Sequence, residues 1–567
     1  MEKKAKRPGR DVAGFFLLGL GLIMLGKSLM LCFSNDIWYD ELFTVGLAEH
    51  SYGELVRLTA ADVHPPLYYC IVKFIVDLCK LIVPRAGAVV PAKIVSVLPY
   101  VILLLYAVTF MRKRFGLFVG GMFLFCVMAM PQLPAYTVEV RMYGWAMLFV
   151  TAAFLHGYAL TENYVNLNTT PTDQEVEWQK RMRCLHGAAF TGYGLAAAYT
   201  QYFACVAVVM IYLWLLLGFW FRDRRRIREW LLYVAVSVVC YVPWLFALAG
   251  QLSAVSENYW ILPLTWRSLG GCVKFLMKPA FADDRVNTVL AVVLFVSYVG
   301  IWCRWMLKLY HNRRECKKNG ENGDGQATFQ RTNADGTEER FRLATAGIGV
   351  LAGLVVFGFA ASFLIRPIFV YRYMIPAAGC FWLGFVLCLH DMLCKSMGAA
   401  RTNGGIGRRT MPYAAGIVIL FLIVSIGLRD YRAFMGEEEY KIRLMAETED
   451  ALAMIGPQDS VLYNFDQVQA VTGYYLPETV KRYLWCAEGE KLIQEITSPC
   501  GTVEDTEEIR EMLKNAQTQG KKTNLWFIGS FNSREDIVDE WRDAGLEVEE
   551  KGSFLLERYW FNLYKIS

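Results

Sequence analysis

Residues 13–33 read AGFFLLGLGLIMLGKSLMLCF, an apolar segment that follows the basic stretch KKAKR at 3–7. A membrane-spanning helix needs roughly 20 consecutive apolar residues. Similar runs recur along the 567-residue chain, of which 55% is hydrophobic. No small-x-small cleavage site follows the first run, so we interpret it as an uncleaved span. We predict a mainly α-helical polytopic membrane protein with about eleven transmembrane helices.

Basic loops set the predicted orientation. The predicted spans are 13–33, 92–111, 116–134, 142–160, 185–200, 203–220, 229–249, 286–305, 343–364, 373–393 and 413–428. With a cytoplasmic N-terminus, the basic clusters at 112–114, 180–183, 222–226, 308–318 and 395–409 all fall on the cytoplasmic side, as the positive-inside rule requires. We therefore expect a multi-pass protein of the cell membrane in which 34–91 and everything after 428 are extracytoplasmic.

The segment 67–83 has two interpretations. It is apolar, but it is short and carries Lys73, Asp77 and Lys80. If it crossed the membrane, residues 112–114 would fall outside, against the positive-inside rule. We therefore expect an amphipathic helix that lies along the interface.

Composition divides the chain into two predicted domains. Residues 1–432 form the transmembrane catalytic domain, with interfacial helices in the first loop, 34–91. This domain includes a Gly-, Asn-, Asp- and Thr-rich stretch within 307–342, which we interpret as a disordered cytoplasmic linker. Residues 433–567 are more polar. Short β-rich runs there alternate with helical patterns, and 547–566 predicts a hairpin or edge strands, so we expect a small extracytoplasmic α/β domain.

Several functions lack support in the sequence. The net charge of +5 comes from basic residues in short loops, which gives no reason to expect a nucleic-acid partner. The tail has no G-x-G-x-x-G motif and no P-loop. No C-x-x-C pair occurs among the fifteen cysteines. Cys486 and Cys500 lie in the tail, where a disulfide and free thiols both remain open.

Two acidic motifs lie in the first loop. The first is NDIWYDE at 35–41, which ends in Asp40 and Glu41. Adjacent carboxylates cannot both point the same way, so one can face a cavity as a general base while the other caps a helix. In the second motif, DVHPP at 62–66, Asp62 either caps a helix or binds substrate. His64 is a structural hydrogen-bonding group, a hydrogen-bonding partner of a substrate hydroxyl, or a metal ligand.

Arginines and tyrosines mark the other predicted outer turns. Glu139, Arg141 and Tyr143 lie at the outer mouth of the third and fourth spans, and Arg366, Arg372 and Tyr373 lie in the outer turn that leads into the tenth. Either group could anchor the outer interface. Arginine also suits phosphate, because its planar fork donates two hydrogen bonds at once. We expect the acidic and cationic groups to converge in one pocket that opens away from the cytosol.

These motifs, in this order, resemble those of the family 39 glycosyltransferases of the GT-C class, bacterial relatives of protein O-mannosyltransferases and lipid A aminoarabinose transferases. The resemblance rests on WYDE (38–41), DVHPPLYY (62–69), EVRMY (139–143) and RY (372–373), and it covers roughly residues 10–430. The segments YVPW (241–244) and YWI (259–261) also look similar to the family. Gln201 stands where a histidine is common.

The resemblance implies an inverting transfer of a sugar from a polyprenyl-phosphate donor to an acceptor hydroxyl on a lipid, glycan or protein. In that case Asp40 is the general base and Glu41 supports it. Arg141 and Arg372 stabilise the leaving phosphate, and Asp62 and His64 line the sugar or acceptor site. Some family members bind a divalent metal, but no convincing ligand set is visible here. The tail resembles extracytoplasmic domains attached to some members.

The sequence leaves two other functions open. A transporter or flippase of lipid-linked sugars usually has repeated halves and ionisable residues near the bilayer midplane. This sequence shows no repeat, and its charges lie at span ends. A non-catalytic scaffold would leave the acidic and arginine motifs unexplained.

Overall fold

The computed structural model describes residues 8–567, except 35, 85–86, 163–172, 255–260, 321–335, 400–405, 488, 490, 498, 519–522 and 558. The chain forms two units. Unit 1 comprises residues 1–30, 63–68 and 94–434, and unit 2 comprises 31–62, 69–93 and 435–567. Of the segment YWI at 259–261, which looks similar to the family, residues 259–260 lie outside the described residues.

Helices dominate the first 452 residues. In chain order they are α1 (Pro8–Leu31), α2 (Tyr39–Glu49), α3 (Tyr52–Ala61), α4 (Leu67–Ile82), α5 (Val89–Tyr106), a π-helical turn (Ala107–Met111), α6 (Arg112–Phe115), α7 (Leu117–Ala129), α8 (Tyr143–Thr161), α9 (Asp173–Ala198), α10 (Tyr202–Arg222), α11 (Ile227–Ala254), α12 (Arg267–Met277), α13 (Asp284–Gly320), α14 (Thr337–Leu364), α15 (Ile375–Ala399) and α16 (Ile406–Leu452). Short 3₁₀ turns occur at Ala135–Thr137, Arg224–Arg226 and Tyr371–Met374.

Nine helical segments in the described part of the chain are long and apolar enough to cross a membrane. Each of the eleven predicted spans overlaps a helix, although α7 ends at Ala129, before the predicted end of the span at 134. The two that do not meet both criteria lie on α7, which has only 13 residues, and on α9, whose first half is polar. The fold is thus that of a multi-pass membrane protein. Helix α4, predicted to lie along the interface, is not among the nine.

Unit 1 is built around α8 and α15, whose side chains are almost all buried, whereas those of α11 are mostly exposed. Helices in a bilayer associate through close packing, which small residues permit. At the crossing of α14 and α15, a Cβ on Gly347 would lie 2.3 Å from the carbonyl oxygen of Cys380, and one on Gly384 would lie 2.8 Å from that of Ala344. Glycine on both helices therefore allows their backbones to touch.

The predicted disordered linker at 307–342 is too long. Helix α13 continues to Gly320 and α14 begins at Thr337, so both ends of this range are helical. The polar extension of α13 is rich in Arg, Lys and Glu, which favour the helix. The apolar helix that precedes it supplies the nucleus from which it can propagate. The central part, 321–335, lies outside the described residues.

Unit 2 contains a six-stranded sheet in the order β3-β2-β1-β4-β6-β5. The strands are β1 (Ser460–Tyr463), β2 (Lys481–Trp485), β3 (Gly501–Val503), β4 (Leu525–Ser530), β5 (Val548–Leu556) and β6 (Tyr559–Ile566). The first four are parallel, and the predicted hairpin β5–β6 is antiparallel. The accompanying helices are α17 (Asp466–Tyr475), α18 (Lys491–Ile496), α19 (Thr506–Thr518) and α20 (Ser533–Asp543). This confirms the predicted α/β domain.

Side chains alternate between two cores on either side of this sheet. Val461 and Tyr463 of β1 point to one core, and Leu462 points to the other, as a pleated strand requires. The first core also receives Tyr39 of α2. The thiols of Cys486 and Cys500 are both free. Helix α2 of the first loop thus belongs to the same unit as the C-terminal sheet.

Candidate active site

The acidic pair lies in the first turn of α2, and its two members differ in environment. Trp38 occupies the N-cap position, but its indole cannot accept a hydrogen bond. The buried carboxylate of Glu41 accepts the Trp38 N–H at 3.2 Å instead. Asp40 is only partly buried. Glu41 therefore stabilises the start of the helix, as expected of one member of the pair.

A buried ion pair holds the segment that leads into α2. The Lys93 ammonium donates to Asp36 Oδ1 at 2.8 Å and to Ser34 Oγ at 3.0 Å, and Lys93 is only 3% exposed. Burial tends to raise the pKa of Asp36, but the charge of Lys93 and hydrogen bonds from Lys93 and Ser34 outweigh it. The pKa of Asp36 therefore lies below its ordinary value.

The C-terminal sheet domain supports α2 from several sides. The Tyr475 hydroxyl accepts the Ile37 N–H at 3.0 Å. At Gly46, an added Cβ would lie 2.5 Å from the carbonyl oxygen of Ile496, so α2 and α18 touch there. Glu557, in the turn between β5 and β6, accepts the Tyr39 N–H at 2.5 Å. The turn that carries Asp40 is thus fixed by the last hundred residues of the chain.

Asp62 lies at the C-terminal end of α3. Its N–H donates to the Leu58 carbonyl at 3.0 Å, which closes the last turn of that helix. Helix α4 begins only at Leu67, so Asp62 is not its N-cap. The two buried prolines of the motif separate the two helices, because proline stops the preceding helix.

His64 belongs to unit 1 with Pro65 and Pro66. The Leu67 N–H donates to the Tyr199 carbonyl at 3.0 Å, which fixes this short segment against the end of α9. The Nε2 atom of His64 lies 3.5 Å from a terminal nitrogen of Arg141. The structure therefore brings two predicted site residues together across 77 positions of sequence.

Arg141, Tyr143 and Arg372 form what we call the arginine cluster. The Arg141 side chain is 5% exposed, and Tyr143 is completely buried. The Arg372 guanidinium lies 5.9 Å from the centre of the Tyr143 ring, within the range of a cation–π contact. The Tyr143 hydroxyl makes no hydrogen bond to any described residue. Arg141, Arg372, Glu139 and Tyr373 all act electrostatically on Tyr143.

Hydroxyl groups hold the loop that carries Glu139 and Arg141. Thr137 Oγ1 donates to Ser28 Oγ at 2.9 Å and also lies 2.6 Å from the Pro134 carbonyl. The Ser28 hydroxyl is 3.3 Å from that of Tyr431, which donates to the Met24 carbonyl at 2.7 Å. This network ties the loop to α1 and α16.

The loop before α15 positions the second arginine of the cluster. Ser362 Oγ accepts the N–H groups of Ile368 and Phe369, both at 3.1 Å. Tyr373 stacks on Phe203 with ring centres 4.8 Å apart. Arg366 lies in the same loop and is half-buried.

Four groups near the predicted site residues were not predicted from the sequence. They are Asp36 and Lys93, Glu557, and Tyr136. Burial, followed by the Glu139 carboxylate, raises the pKa of Tyr136 well above its ordinary value. The buried lysine near the start of α5 was a detectable signal, because a lysine in an apolar helix requires a partner. The position of Glu557 was not detectable, because the turn that carries it has no sequence link to α2.

No group of three or more His, Cys, Asp or Glu side chains in the described ranges is placed to hold a metal ion. The possible divalent metal therefore has no identified ligand set in that part of the chain.

Comparison with known proteins identifies the fold. No family model matches the chain, and no curated protein sequence matches it. ArnT from Cupriavidus metallidurans in the apo state is similar over 97% of both chains, with a TM-score of 0.52 and 11% sequence identity. ArnT from the same organism bound to undecaprenyl phosphate is similar over 97% of both chains, with a TM-score of 0.50 and 12% identity. The chain has the GT-C fold predicted from its sequence motifs, together with a C-terminal sheet domain.

Proposed function

We propose that the protein is a membrane glycosyltransferase that moves a sugar from a polyprenyl-phosphate donor to an acceptor hydroxyl on the extracytoplasmic face, with inversion at the anomeric carbon. The main support is the fold shared over 97% of both chains with a protein solved with undecaprenyl phosphate bound. Family 39 membership, the hexose or pentose nature of the sugar and the class of acceptor belong to this proposal.

Asp40 is the proposed general base. It takes the proton of the acceptor hydroxyl, and the acceptor oxygen then forms a bond to the anomeric carbon. The bond from that carbon to the phosphate oxygen breaks, and the lipid phosphate leaves with the electron pair. The partial exposure of Asp40 lets it reach an acceptor, while Glu41 keeps its backbone in place.

The arginine cluster is the proposed phosphate site. Two guanidinium groups next to a buried tyrosine hydroxyl offer donors to an anionic oxygen. Charge that develops on the leaving phosphate is stabilised by such preorganised donors. His64, Glu139 and Tyr373 line or orient this site, and Arg366, in the same loop as Arg372, adds a further cation. Asp62 is proposed separately to line the sugar or acceptor site.

The catalytic assignment is tested by transfer from a polyprenyl-phosphate sugar in membranes that carry the protein. We expect Asp40→Asn to lower the rate by about 10²–10⁴-fold and to leave binding of undecaprenyl phosphate intact. Glu49→Gln is the matched control, because it removes a carboxylate from the other end of α2, where Glu49 pairs with Lys80. Transfer by Asp40→Asn at the wild-type rate would exclude Asp40 as the base.

The phosphate site is tested by binding. We expect Arg141→Ala to lower the affinity for undecaprenyl phosphate about 10- to 100-fold, because a hydrogen bond to a charged group contributes about 1.5–3 kcal/mol. Arg222→Ala is the control, since Arg222 is paired with Glu339 at the end of α10. Unchanged affinity in Arg141→Ala would remove the arginine cluster from the donor site.

Orientation is tested separately. A reporter fused after Lys113 is expected to be cytoplasmic, and one fused after residue 567 extracytoplasmic. The opposite signals would place the reaction on the other face.

A further inference from the structure

The turn between β5 and β6 has a residue that its backbone does not favour. Leu556 pairs with Tyr559, so the hairpin is closed by two residues. Such turns need positive φ and prefer Asn-Gly or Asp-Gly. Glu557 stands in this turn with φ of +61°, a conformation uncommon for residues other than glycine, asparagine or aspartate.

The side chain of this residue has a defined target. Helix α2 starts at Tyr39 without a side-chain cap from Trp38. Glu557 Oε1 accepts the Tyr39 N–H at 2.5 Å, across 518 positions of sequence. The amides at the start of a helix require acceptors, and a carboxyl oxygen supplies one. The hairpin turn thus supplies the acceptor that the chain next to α2 does not.

The contact lies one residue from the proposed base. Tyr39 precedes Asp40 directly, so a fixed Tyr39 amide fixes the backbone from which the Asp40 side chain extends. Burial raises the pKa of Glu557 to about 7; the Tyr39 N–H opposes this rise and the Asp40 carboxylate adds to it. The two carboxyl groups are therefore close enough to interact electrostatically.

We infer that Glu557 is a positioning residue for Asp40: through the Tyr39 amide, the turn of the β5–β6 hairpin holds the first turn of α2 in the geometry that catalysis requires. The inference rests on the proposed function, which assigns Asp40 as the base. It gives the C-terminal sheet domain a part in the reaction although no residue of the domain itself is assigned to touch substrate.

Two substitutions separate positioning from general stability. Glu557→Gln keeps an oxygen that can accept the Tyr39 N–H, whereas Glu557→Ala removes it. We expect kcat of Glu557→Ala to fall about tenfold or more, because a displacement of about 1 Å can cost on the order of 10²-fold. The KM for the polyprenyl-phosphate sugar should stay unchanged, and Glu557→Gln should restore most of the rate. Glu549→Ala, in the same hairpin but paired with Lys551 at the surface, is the control.

Hydrogen–deuterium exchange provides a readout that is independent of activity. The peptide that contains Tyr39 should exchange faster in Glu557→Ala than in wild type, and at the wild-type rate in Glu557→Gln. If the wild-type protein transfers no sugar, the proposed function fails, and the exchange data alone decide whether Glu557 anchors α2. If the wild type is active and Glu557→Ala retains its kcat, the inference is wrong. It is also wrong if Gln fails to restore the rate while the protein remains folded.

Discussion

Ionisable side chains take part in holding the segment that leads to Asp40, whereas neutral hydroxyl groups hold the loop that carries Arg141. In the segment that leads to Asp40, Lys93 pairs with Asp36, and Glu557 caps α2. In the loop that carries Arg141, the supporting hydrogen bonds of Thr137, Ser28 and Tyr431 join uncharged groups. The strength of a charged support depends on its partner's charge and on pH, and that of a neutral support does not. The two regions should therefore respond differently to substitution and to acid.

The largest expected effect is at the buried ion pair. Lys93→Met leaves Asp36 partly buried without its cation, and we expect this to lower the free energy of unfolding by about 3–5 kcal/mol. The double variant Lys93→Met/Asp36→Leu should recover much of the loss, because two apolar groups replace the pair. Thermal unfolding of the purified protein measures both.

Lys80→Met serves as the control for this experiment. Lys80 pairs with Glu49 near the surface, and such pairs contribute about 0–1 kcal/mol. If Lys93→Met cost no more than Lys80→Met, the segment before α2 would not depend on this ion pair.

The next effect concerns pH. Burial raises the pKa of Glu557 from 4.5 to about 7 in the folded protein; the hydrogen bond from the Tyr39 amide opposes this rise, and the Asp40 carboxylate adds to it. A raised carboxyl pKa contributes stability that is fully present below the unfolded pKa and is lost as pH rises through the folded value. Relative to Glu557→Gln, the free energy of unfolding of the wild type should therefore fall by up to about 3 kcal/mol between pH 4.5 and 8.

Paired melting curves of wild type and Glu557→Gln across this pH range provide the measurement. The two proteins should be equally stable near pH 4.5 and differ most above pH 7.5. A constant difference at all pH values would mean that Glu557 does not titrate in this range.

The smallest effect on stability is expected in the hydroxyl network that holds the loop of Arg141. Thr137→Val keeps the shape of the side chain and removes its hydroxyl, so it should cost about 1 kcal/mol. The cost should be independent of pH, in contrast to Glu557→Gln. Thr109→Val, at an exposed position in the π-helical turn, is the control and should change stability by less than about 0.5 kcal/mol. If the loss of stability in Thr137→Val depended on pH, the two regions would not differ in the way we propose.

Much of the fold followed from local patterns. Long apolar runs predicted nine helices that are long and apolar enough to cross a membrane, together with two that are not, and the short β-rich runs predicted the β5–β6 hairpin. Glu41 binds the Trp38 amide, as expected if one of the two adjacent acids caps the helix. Composition failed at both ends of 307–342, where the neighbouring helices continue into a polar sequence.

The site could be predicted only in part. The ten candidate residues were named from motifs at span ends, and the structure places His64 beside Arg141 and Arg372 beside Tyr143. The supports of α2 were not predicted, because the contacts of Ile37 with Tyr475 and of Tyr39 with Glu557 join positions 438 and 518 residues apart. No periodicity connects such positions, so only the folded chain brings them together.

The position of β6 has a consequence for biosynthesis. This strand is made after the other five, yet it lies inside the sheet between β4 and β5, and we expect Glu557 to reach Tyr39 only after the strand has paired. At about 5–20 residues per second, the ribosome needs roughly half a minute to two minutes to cover the 518 residues between the two contacts. During that interval the nascent chain already carries its acidic turn, but without the anchor that orients it. On our proposal, the protein becomes competent only once translation has passed β6.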